Sequence, residues 1–485
     1  MSIAAPFFDP AHPRRDTAFL GHPVGLAWLS ACELWERFSY YGMQILLALY
    51  LTKYLFLPEH IGSVMGIGAV RAAVEVSFGP RTPLQLGLFI AGLYSGLVYL
   101  MPIFGGIVAD RLLGRTRTVV LGACLMALGH FMMAFEASFF IAIACLLAGV
   151  GCFKGNIAAQ VGALYGPDDK RNATAFQIFL MAVQIAVIAA PIVCGTLGEK
   201  VGFHWGFGAA GVGMLIGLAT YLAGRRWLPP EPASRSGDAT VAQPPLTRAE
   251  LKRLVLLVCL LPVMVLSVIG NTQLNLGFSV WSDKHMDLLM FGWQVPVTWL
   301  AMVDAVVSTI TGAATIAFWL WWSRRREEPD ELTKMAIGSL ISAGGPALMA
   351  VAGAIVDTTH AKVGPIWTLA FTILNDIGFS NVLGISLALF SRVAPRQLVG
   401  LAIGIYYLHL FASFSVAGWL AGFMDVWSNR DFWALHAVLV AVGGVLLFGA
   451  RALFGHLLST ETLAAERAAL AADAPALAPA LAPAR

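Results

Sequence analysis

Residues Cys32–Gln44 read CELWERFSYYGMQ, which sets Glu33, Glu36 and Arg37 among apolar and aromatic neighbours. The setting is severe for charge: 58% of the 485 residues are hydrophobic and 12% charged, with a mean hydropathy of +0.75, whereas a soluble domain is about a quarter charged. Such a composition belongs to an integral membrane protein. The net charge of +3 gives no basis for a nucleic-acid partner, because the basic residues fall in short clusters between apolar blocks rather than on one face. Cys32, Cys124, Cys145, Cys152, Cys194 and Cys259 lie within apolar stretches without paired spacing. They read as small packing residues rather than as a disulfide framework or zinc site.

At about 100° per residue, Glu33, Glu36, Arg37, Tyr40, Tyr41 and Gln44 share an arc of about 140° and make one polar stripe. In a helix starting near residue 25, Glu36 lies about 16 Å along the axis, close to the bilayer centre. Each charge there costs about 2.5–3.5 kcal/mol on insertion scales, so presenting all three to lipid costs about 8–10 kcal/mol. That is comparable with the whole stability of a domain. The stripe is therefore expected to face protein or a water-filled cavity. Glu33 and Arg37, at i and i+4, can pair locally, which leaves Glu36 to find another cation. Lys154, within GVGCFKGNIAAQ in the fourth apolar block, lies near the same depth. Two carboxylates against two cations form a nearly balanced network that protonation can tip, freeing a cation for an anionic ligand. The alternative is a static ion network locking helices one and four. Stability alone is a weak reason to keep one, since apolar replacements of a buried pair are often equally stable.

Gly, Pro and charge clusters divide the chain into twelve apolar blocks, each near the length of about 20 residues that a spanning helix needs. Clusters of Lys and Arg, from Arg14 and Arg15 through Arg111, Arg115, Arg117 and onward to Arg392 and Arg396, fall on alternate sides. By the positive-inside rule both termini are cytoplasmic. The polar segment PPEPASRSGDATVAQPPLTRAE, Pro229–Glu250, separates two halves. The expected organisation is a cytoplasmic segment 1–24, a six-helix bundle 25–228, a linker 229–251, a second six-helix bundle 252–457 and an Ala/Pro-rich tail 458–485. Two such halves around a central cavity are a common secondary-transporter architecture. The N-terminus, with prolines and charges in place of an apolar core, is expected to carry no cleavable signal.

Two kinds of motif narrow the class. GGIVADRLLGRTRT, Gly105–Thr118, resembles the loop signature of the major facilitator superfamily, with Gly and Ala for close helix packing and Asp110 as an acceptor for neighbouring helix ends. WWSRRREEPDELTKMAIG, Trp321–Gly338, echoes it in the second half. More specifically, ELWERFSYYG matches Glu-x-x-Glu-Arg-Phe-x-Tyr-Tyr-Gly at every fixed position. That is the first-helix signature of the proton-dependent oligopeptide transporter family, the peptide branch of that superfamily, and the chain resembles this family. GCFKGNI in helix four, Gln273, Lys334 and RVAPRQLVGLAIGIYYL extend the resemblance more loosely.

The resemblance implies an all-α membrane protein with the major facilitator fold, twelve transmembrane helices in two six-helix halves, both termini cytoplasmic. It implies proton-driven import of di- and tripeptides by alternating access, with no cofactor. Its partners would be a small-molecule substrate, protons and membrane lipid, no nucleic acid, and the chain would work as a monomer in a bacterial inner membrane. By the same resemblance Glu33, Glu36 and Arg37 form a proton-coupling cluster with Lys154, and Arg37 and Lys154 also approach a substrate carboxylate. Tyr40, Tyr41, Asn271, Gln273 and Tyr406 fall at substrate-facing places.

The departures from the family pattern are informative. Gln44 stands where the family commonly has another arginine, Gln184 and Leu180 replace an asparagine and a tyrosine, and Asn271 and Thr272 precede Gln273 where an acid is usual. Phe379 occupies the place of the helix-ten glutamate that would receive a peptide amino terminus. A desolvated ammonium left unpaired is costly, so ordinary peptides are disfavoured. Asp304, where the family has an asparagine, and Asp376, about one turn before Phe379, are candidates to restore an amine site or carry a second proton. The plainer reading of Asp376 is a structural partner of its neighbour Asn375. His130, His409 and His436 read as packing residues, although His409 can face the cavity, and Trp293, Trp299, Trp321 and Trp322 suit interfacial belts. Three functions stay open at this point: a proton-coupled symporter for a small peptide or peptide-like compound, a transporter of another amphipathic metabolite, and a non-transporting receptor or enzyme. Against the last stands a sequence without a recognisable nucleophile, metal cluster or phosphate loop.

Overall fold

The structure, a computed structural model, describes residues 17–166, 169–229, 246–395, 398–459 and 462. The segment 1–16 with Arg14 and Arg15, the linker residues 230–245, Arg396 and most of the tail lie outside the described residues.

The described chain is almost wholly helical. Its α-helices are α1 (Val24–Tyr50), α2 (Ile67–Phe78), α3 (Pro83–Val108), α4 (Arg115–Met132), α5 (Phe139–Ala163), α6 (Arg171–Ala190), α7 (Thr196–Lys200) and α8 (Phe203–Gly224). After the linker come α9 (Arg248–Thr272), α10 (Gly277–His285), α11 (Trp299–Ser323), α12 (Glu331–Thr359), α13 (Ile366–Val393), α14 (Val399–Ala421) and α15 (Asn429–Leu458). Local chemistry sets several of the starts. Thr82 and Gln85 form a capping box with Pro83 in the first turn of α3, Thr247 and Glu250 form another on α9, and Asp330 and Ser428 cap α12 and α15.

Among the described residues, ten stretches are long and apolar enough to cross a membrane. The set omits α1, which carries the charged stripe, and α4, which opens with Arg115 and Arg117. Helices α6 and α7 run on through a π-helical turn at Pro191–Gly195, whereas α9 and α10 are separated by a 3₁₀ turn at Gln273–Asn275. Between α1 and α3 the structure adds α2, none of whose residues is fully buried. GGIVADRLLGRTRT folds as the end of α3, a π-helical turn at Ala109–Leu113 and Gly114 at φ 76°. Asp110 is exposed and accepts no hydrogen bond among the described residues, so the motif works here through its small residues and its turn rather than through that acceptor. The six cysteines are free; Cys124 and Cys259 lie on exposed helix faces, because an outer face in a membrane needs only to be apolar.

Within the first half α1 packs on α6 and α8, α3 on α5, and α4 on α5 and α8; within the second, α12 packs on α13 and α15, α9 on α14 and α15, and α11 on α13. Lipid offers no hydrophobic drive between helices, so close approach through small residues carries the packing. A Cβ on Gly105 would stand 1.9 Å from the Gly151 carbonyl oxygen, and one on Gly378 would stand 2.3 Å from that of Gly338.

Contacts between the halves gather at the end away from the linker. There α3 meets α14, with room at Gly92 only for hydrogen because Phe414 O lies 2.5 Å from a built Cβ. Lys53 pairs with Asp283 at 2.8 Å, and Lys200 donates to the Gln294 carbonyl at 2.5 Å. The Glu199 carboxylate accepts from Val297 N at 2.9 Å, Thr298 N at 2.8 Å and Thr298 Oγ1 at 2.6 Å. An acid of the first half thus satisfies the free amides that open α11 in the second, where the helix dipole also favours it.

Gly105→Val is expected to lower the thermal stability of the detergent-solubilised protein, since overpacking costs about 1–3 kcal/mol. Gly106→Val, at a position with open space around it, should leave the melting temperature unchanged when the two are compared by differential scanning fluorimetry.

Candidate functional site

The stripe on α1 is buried, with Glu33 5%, Glu36 0% and Arg37 3% exposed. Arg37 engages both acids: Nε and Nη2 donate to Glu36 at 2.5 and 2.6 Å, and Nε lies 3.3 Å from Glu33 Oε1. Its guanidinium also lies 4.9 Å from the ring centre of Tyr40. This corrects the pairing expected from the sequence, which gave Glu36 to Lys154. The planar fork of arginine presents five donors and can serve two carboxylates, whereas lysine is a point charge on a flexible stem. Lys154 Nζ instead sits 4.9 Å from the centre of the Tyr99 ring, a cation–π contact. It makes no ion pair within 4 Å among the described residues while still interacting electrostatically with Glu33, Glu36 and Arg37. Glu33 Oε2 is buried without a hydrogen-bond partner among the described residues.

Arg37 forms part of the wall of a cavity of about 480 Å³ between the two sets of helices. Helix α1 contributes Arg37, Tyr40, Tyr41 and Gln44; α5 contributes Lys154, α6 Gln184, α9 Asn271 and Thr272, α11 Asp304, α13 Asp376 and Phe379, and α14 Tyr406. Residues far apart in sequence are thereby gathered around one space. Glu33 and Glu36 stand behind Arg37 and do not line it.

Gln273 is also absent from the wall. It is fully buried at the break between α9 and α10, where Nε2 donates to Ala417 O at 2.9 Å and meets His436 Nε2 at 2.8 Å, and Oε1 accepts from Gly277 N at 3.1 Å. The 3₁₀ turn leaves backbone groups to be satisfied there, and this amide holds them. His409 does not line the cavity either; its Nδ1 is held by the Tyr406 carbonyl at 2.5 Å.

The second-half acids Asp304 and Asp376 stand on one cavity wall, and Asp304 Oδ1 and Asp376 Oδ2 are buried without a hydrogen-bond partner among the described residues. Asn375 Nδ2 donates to Asp376 Oδ1 at 3.1 Å and is itself held by Ser342 Oγ at 3.2 Å from its Oδ1, so the structural link to Asn375 is present together with a place on the cavity wall. Gln184 Nε2 donates to Thr309 Oγ1 at 2.6 Å, joining α6 to α11 beside the cavity. Tyr99, Asn275, Ser308 and Tyr407 line the cavity and were not singled out from the sequence. Ser308 lies one helical turn after Asp304 and Tyr407 directly follows Tyr406, so proximity to a candidate was the available signal.

Arg37→Met strands two buried carboxylates and is expected to cost about 3–5 kcal/mol of stability. The combined change Glu33→Gln, Glu36→Gln, Arg37→Met should recover most of that loss in thermal unfolding of the purified protein.

Comparison with known proteins places this geometry in context. The sequence model of the POT family matches residues 116–244 and 241–437. The uncharacterized transporter YclF of Bacillus subtilis (strain 168) is 27% identical over 487 residues, covering 88% of this chain and 94% of that protein. The peptide transporter YePEPT of Yersinia enterocolitica is 26% identical, covering 83% of this chain and 88% of that one. Among solved structures, a mutant of the peptide transporter POT in complex with sulfate superposes with a TM-score of 0.79 at 24% identity, over 93% of this chain and 99% of its own.

Proposed function

The chain belongs to the POT family of multi-pass integral membrane transporters, and from that premise we infer that it is a proton-coupled symporter importing a small peptide or peptide-like compound by alternating access. The observation that carries this reading is Arg37, clasped by two buried carboxylates on one side and lining the cavity on the other. A proton on Glu33 or Glu36 removes one of the charges that hold the guanidinium. Arg37 is then available, with Lys154, to a substrate carboxylate entering the cavity, and loss of the proton returns it to the acids. Coupling arises because the glutamates and the substrate carboxylate compete for the same cation, so that a proton on a glutamate favours substrate binding.

In this reading α1 and α4 join the ten apolar stretches to make twelve spans, six in 25–228 and six in 252–457. The flanking pieces 1–24, 229–251 and 458–485, and so both termini, are cytoplasmic, as the Lys and Arg clusters favour. The contacts between halves then lie at the outer end, and the form described here is sealed to the outside. Few polar contacts hold that seal, chiefly Lys53–Asp283 and the Glu199 cap on α11, which suits halves that rock apart. Tyr40, Tyr41, Gln44, Gln184, Asn271, Asp304, Phe379 and Tyr406 would contact substrate, and Asp304 and Asp376 would carry a second proton. Gln273 would act by bracing the helix break. The protein would work as a monomer in the bacterial inner membrane, exchanging protons, substrate and lipid contacts and holding no cofactor.

A second reading has its own support: Gln44 and Phe379 line the cavity where the family has charged groups. The cargo would then be a non-peptide amphipathic metabolite, imported or exported by the same proton machinery. A thermal-stability screen of di- and tripeptides, amino-acid derivatives and other metabolites decides between them, since a ligand at a hundred times its Kd stabilises by about 2.7 kcal/mol.

In proteoliposomes, Glu36→Gln is expected to abolish accumulation driven by a pH gradient while leaving substrate counterflow. Wild-type uptake that ignored the gradient would sink the coupling claim.

A further inference from the structure

We propose that the linker-side end of α11 is a binding site for an anionic phospholipid, its phosphate held by Arg324, Arg325 and Arg326 and its acyl chains laid along the exposed face of the helix. The proposal rests on α11 spanning the membrane and on neither the cargo nor proton coupling.

Residues Phe318–Arg326 read FWLWWSRRR. At helical spacing Phe318, Trp322 and Arg326 form one i, i+4 row, and Trp321 and Arg325 form another. The structure stacks both rows. The Arg325 guanidinium lies 4.5 Å from the centre of the Trp321 ring and that of Arg326 lies 5.2 Å from the Trp322 ring, which are cation–π contacts. The frame beneath them is fixed. Trp322 Nε1 donates to the Glu327 carbonyl at 3.1 Å, and the amides of Arg325 and Arg326 donate to the Trp322 carbonyl at 2.9 Å. Trp319 ties the same turn to its neighbours: its Nε1 donates to Asn381 Oδ1 on α13 at 2.6 Å, and its ring lies 4.9 Å from Lys334 Nζ on α12.

The three arginines are exposed, and among the described residues none of them is in an ion pair. The acids that follow are engaged elsewhere. Glu328 pairs with Lys334, Asp330 with Arg451 at 2.9 Å, and Glu331 with Arg392 at 2.9 Å. Only Glu327 stays outside an ion pair among the described residues, so the run presents three guanidiniums against one carboxylate. A stacked guanidinium spends its face on the ring and keeps its edge N–H groups to donate. That edge is a planar fork, which matches a phosphate with two parallel hydrogen bonds.

The occupant follows from what surrounds the charges. Helix α11 begins where Glu199 caps it, at the end away from the linker, so its arginines stand at the other end, in the inner leaflet of the orientation given above. Along the turns before them Ala313, Ile316, Ala317, Leu320 and Trp321 are exposed. On a helix that crosses the membrane this face meets acyl chains, and the rings that end it suit headgroup depth. Basic residues directly beyond a spanning helix attract anionic lipid. A phospholipid with a single negative charge and no headgroup cation uses both features at once. A zwitterionic headgroup would bring its own cation against the arginines, and a water-soluble phosphate would leave the apolar face unused.

The test uses the full chain in detergent, with native mass spectrometry reading adducts of phosphatidylglycerol and of phosphatidylcholine with the same acyl chains, and with inorganic phosphate as competitor. The expected result is a phosphatidylglycerol adduct tighter than the phosphatidylcholine one and not displaced by phosphate at the lipid's concentration. The combined change Arg324→Gln, Arg325→Gln, Arg326→Gln should weaken it about a hundredfold, at about fivefold for each arginine. Trp321→Leu with Trp322→Leu should weaken it while every charge is retained. Arg111→Gln, Arg225→Gln, Lys252→Gln removes the same charge from exposed positions on other helices and should leave the adduct unchanged. If the arginine variant does not fold, the tryptophan variant carries the test. Equal binding of the two lipids, equal loss in the two charge variants, unchanged binding in the tryptophan variant or displacement by phosphate would each overturn the site. Transport is not the readout, so a failure here leaves the transport reading standing, and a failed uptake assay leaves the lipid site standing.

Discussion

A guanidinium gripped by two carboxylates at the middle of a membrane helix dictates where α1 can sit. Glu33, Glu36 and Arg37 together are too costly to face lipid, and their mutual pairing still leaves Glu33 Oε2 unsatisfied among the described residues and Arg37 on a cavity wall. The helix must therefore lie inside, with α6 and α8 packed on its other faces and the tyrosines Tyr40 and Tyr41 extending the polar face into the cavity. The rest of the first half is arranged around that requirement. Lys154 completes it on α5, close enough to feel all three charges yet held by an aromatic ring.

The packing that makes room for such a centre is carried by glycine. Where Gly105 meets Gly151 and Gly338 meets Gly378, backbones approach to distances that any side chain would prevent. Close pairs of this kind hold the helices of each half together. Across the halves the same device recurs at Gly92 and Gly418, where among the described residues it is joined by polar contacts at the end away from the linker. At that end the Glu199 carboxylate fixes the contact on the backbone amides of Val297 and Thr298 at the start of α11.

The cavity is electrically lopsided. Its cations, Arg37 and Lys154, come from the first half, and its acids, Asp304 and Asp376, from the second. The sites where charge is missing relative to the family pattern, Gln44 and Phe379, also lie on the wall, so the polarity is kept while its carriers have moved.

Much of this was legible before any coordinates. Apolar block length and the one-face spacing of Glu33 through Gln44 are local properties, because helix periodicity and the cost of charge in lipid act on each segment separately. Cavity-lining residues on α1, α5, α6, α9, α11, α13 and α14 followed from motif places. Three matters needed the tertiary structure. Arg37 rather than Lys154 serves Glu36, since reach and fork geometry depend on how α1 and α5 are set. Gln273 turns into the packing because a 3₁₀ turn rotates it there. Asp304 and Asp376 come to one cavity wall only when α11 and α13 are brought together, a contact between distant segments that no pattern within either helix encodes.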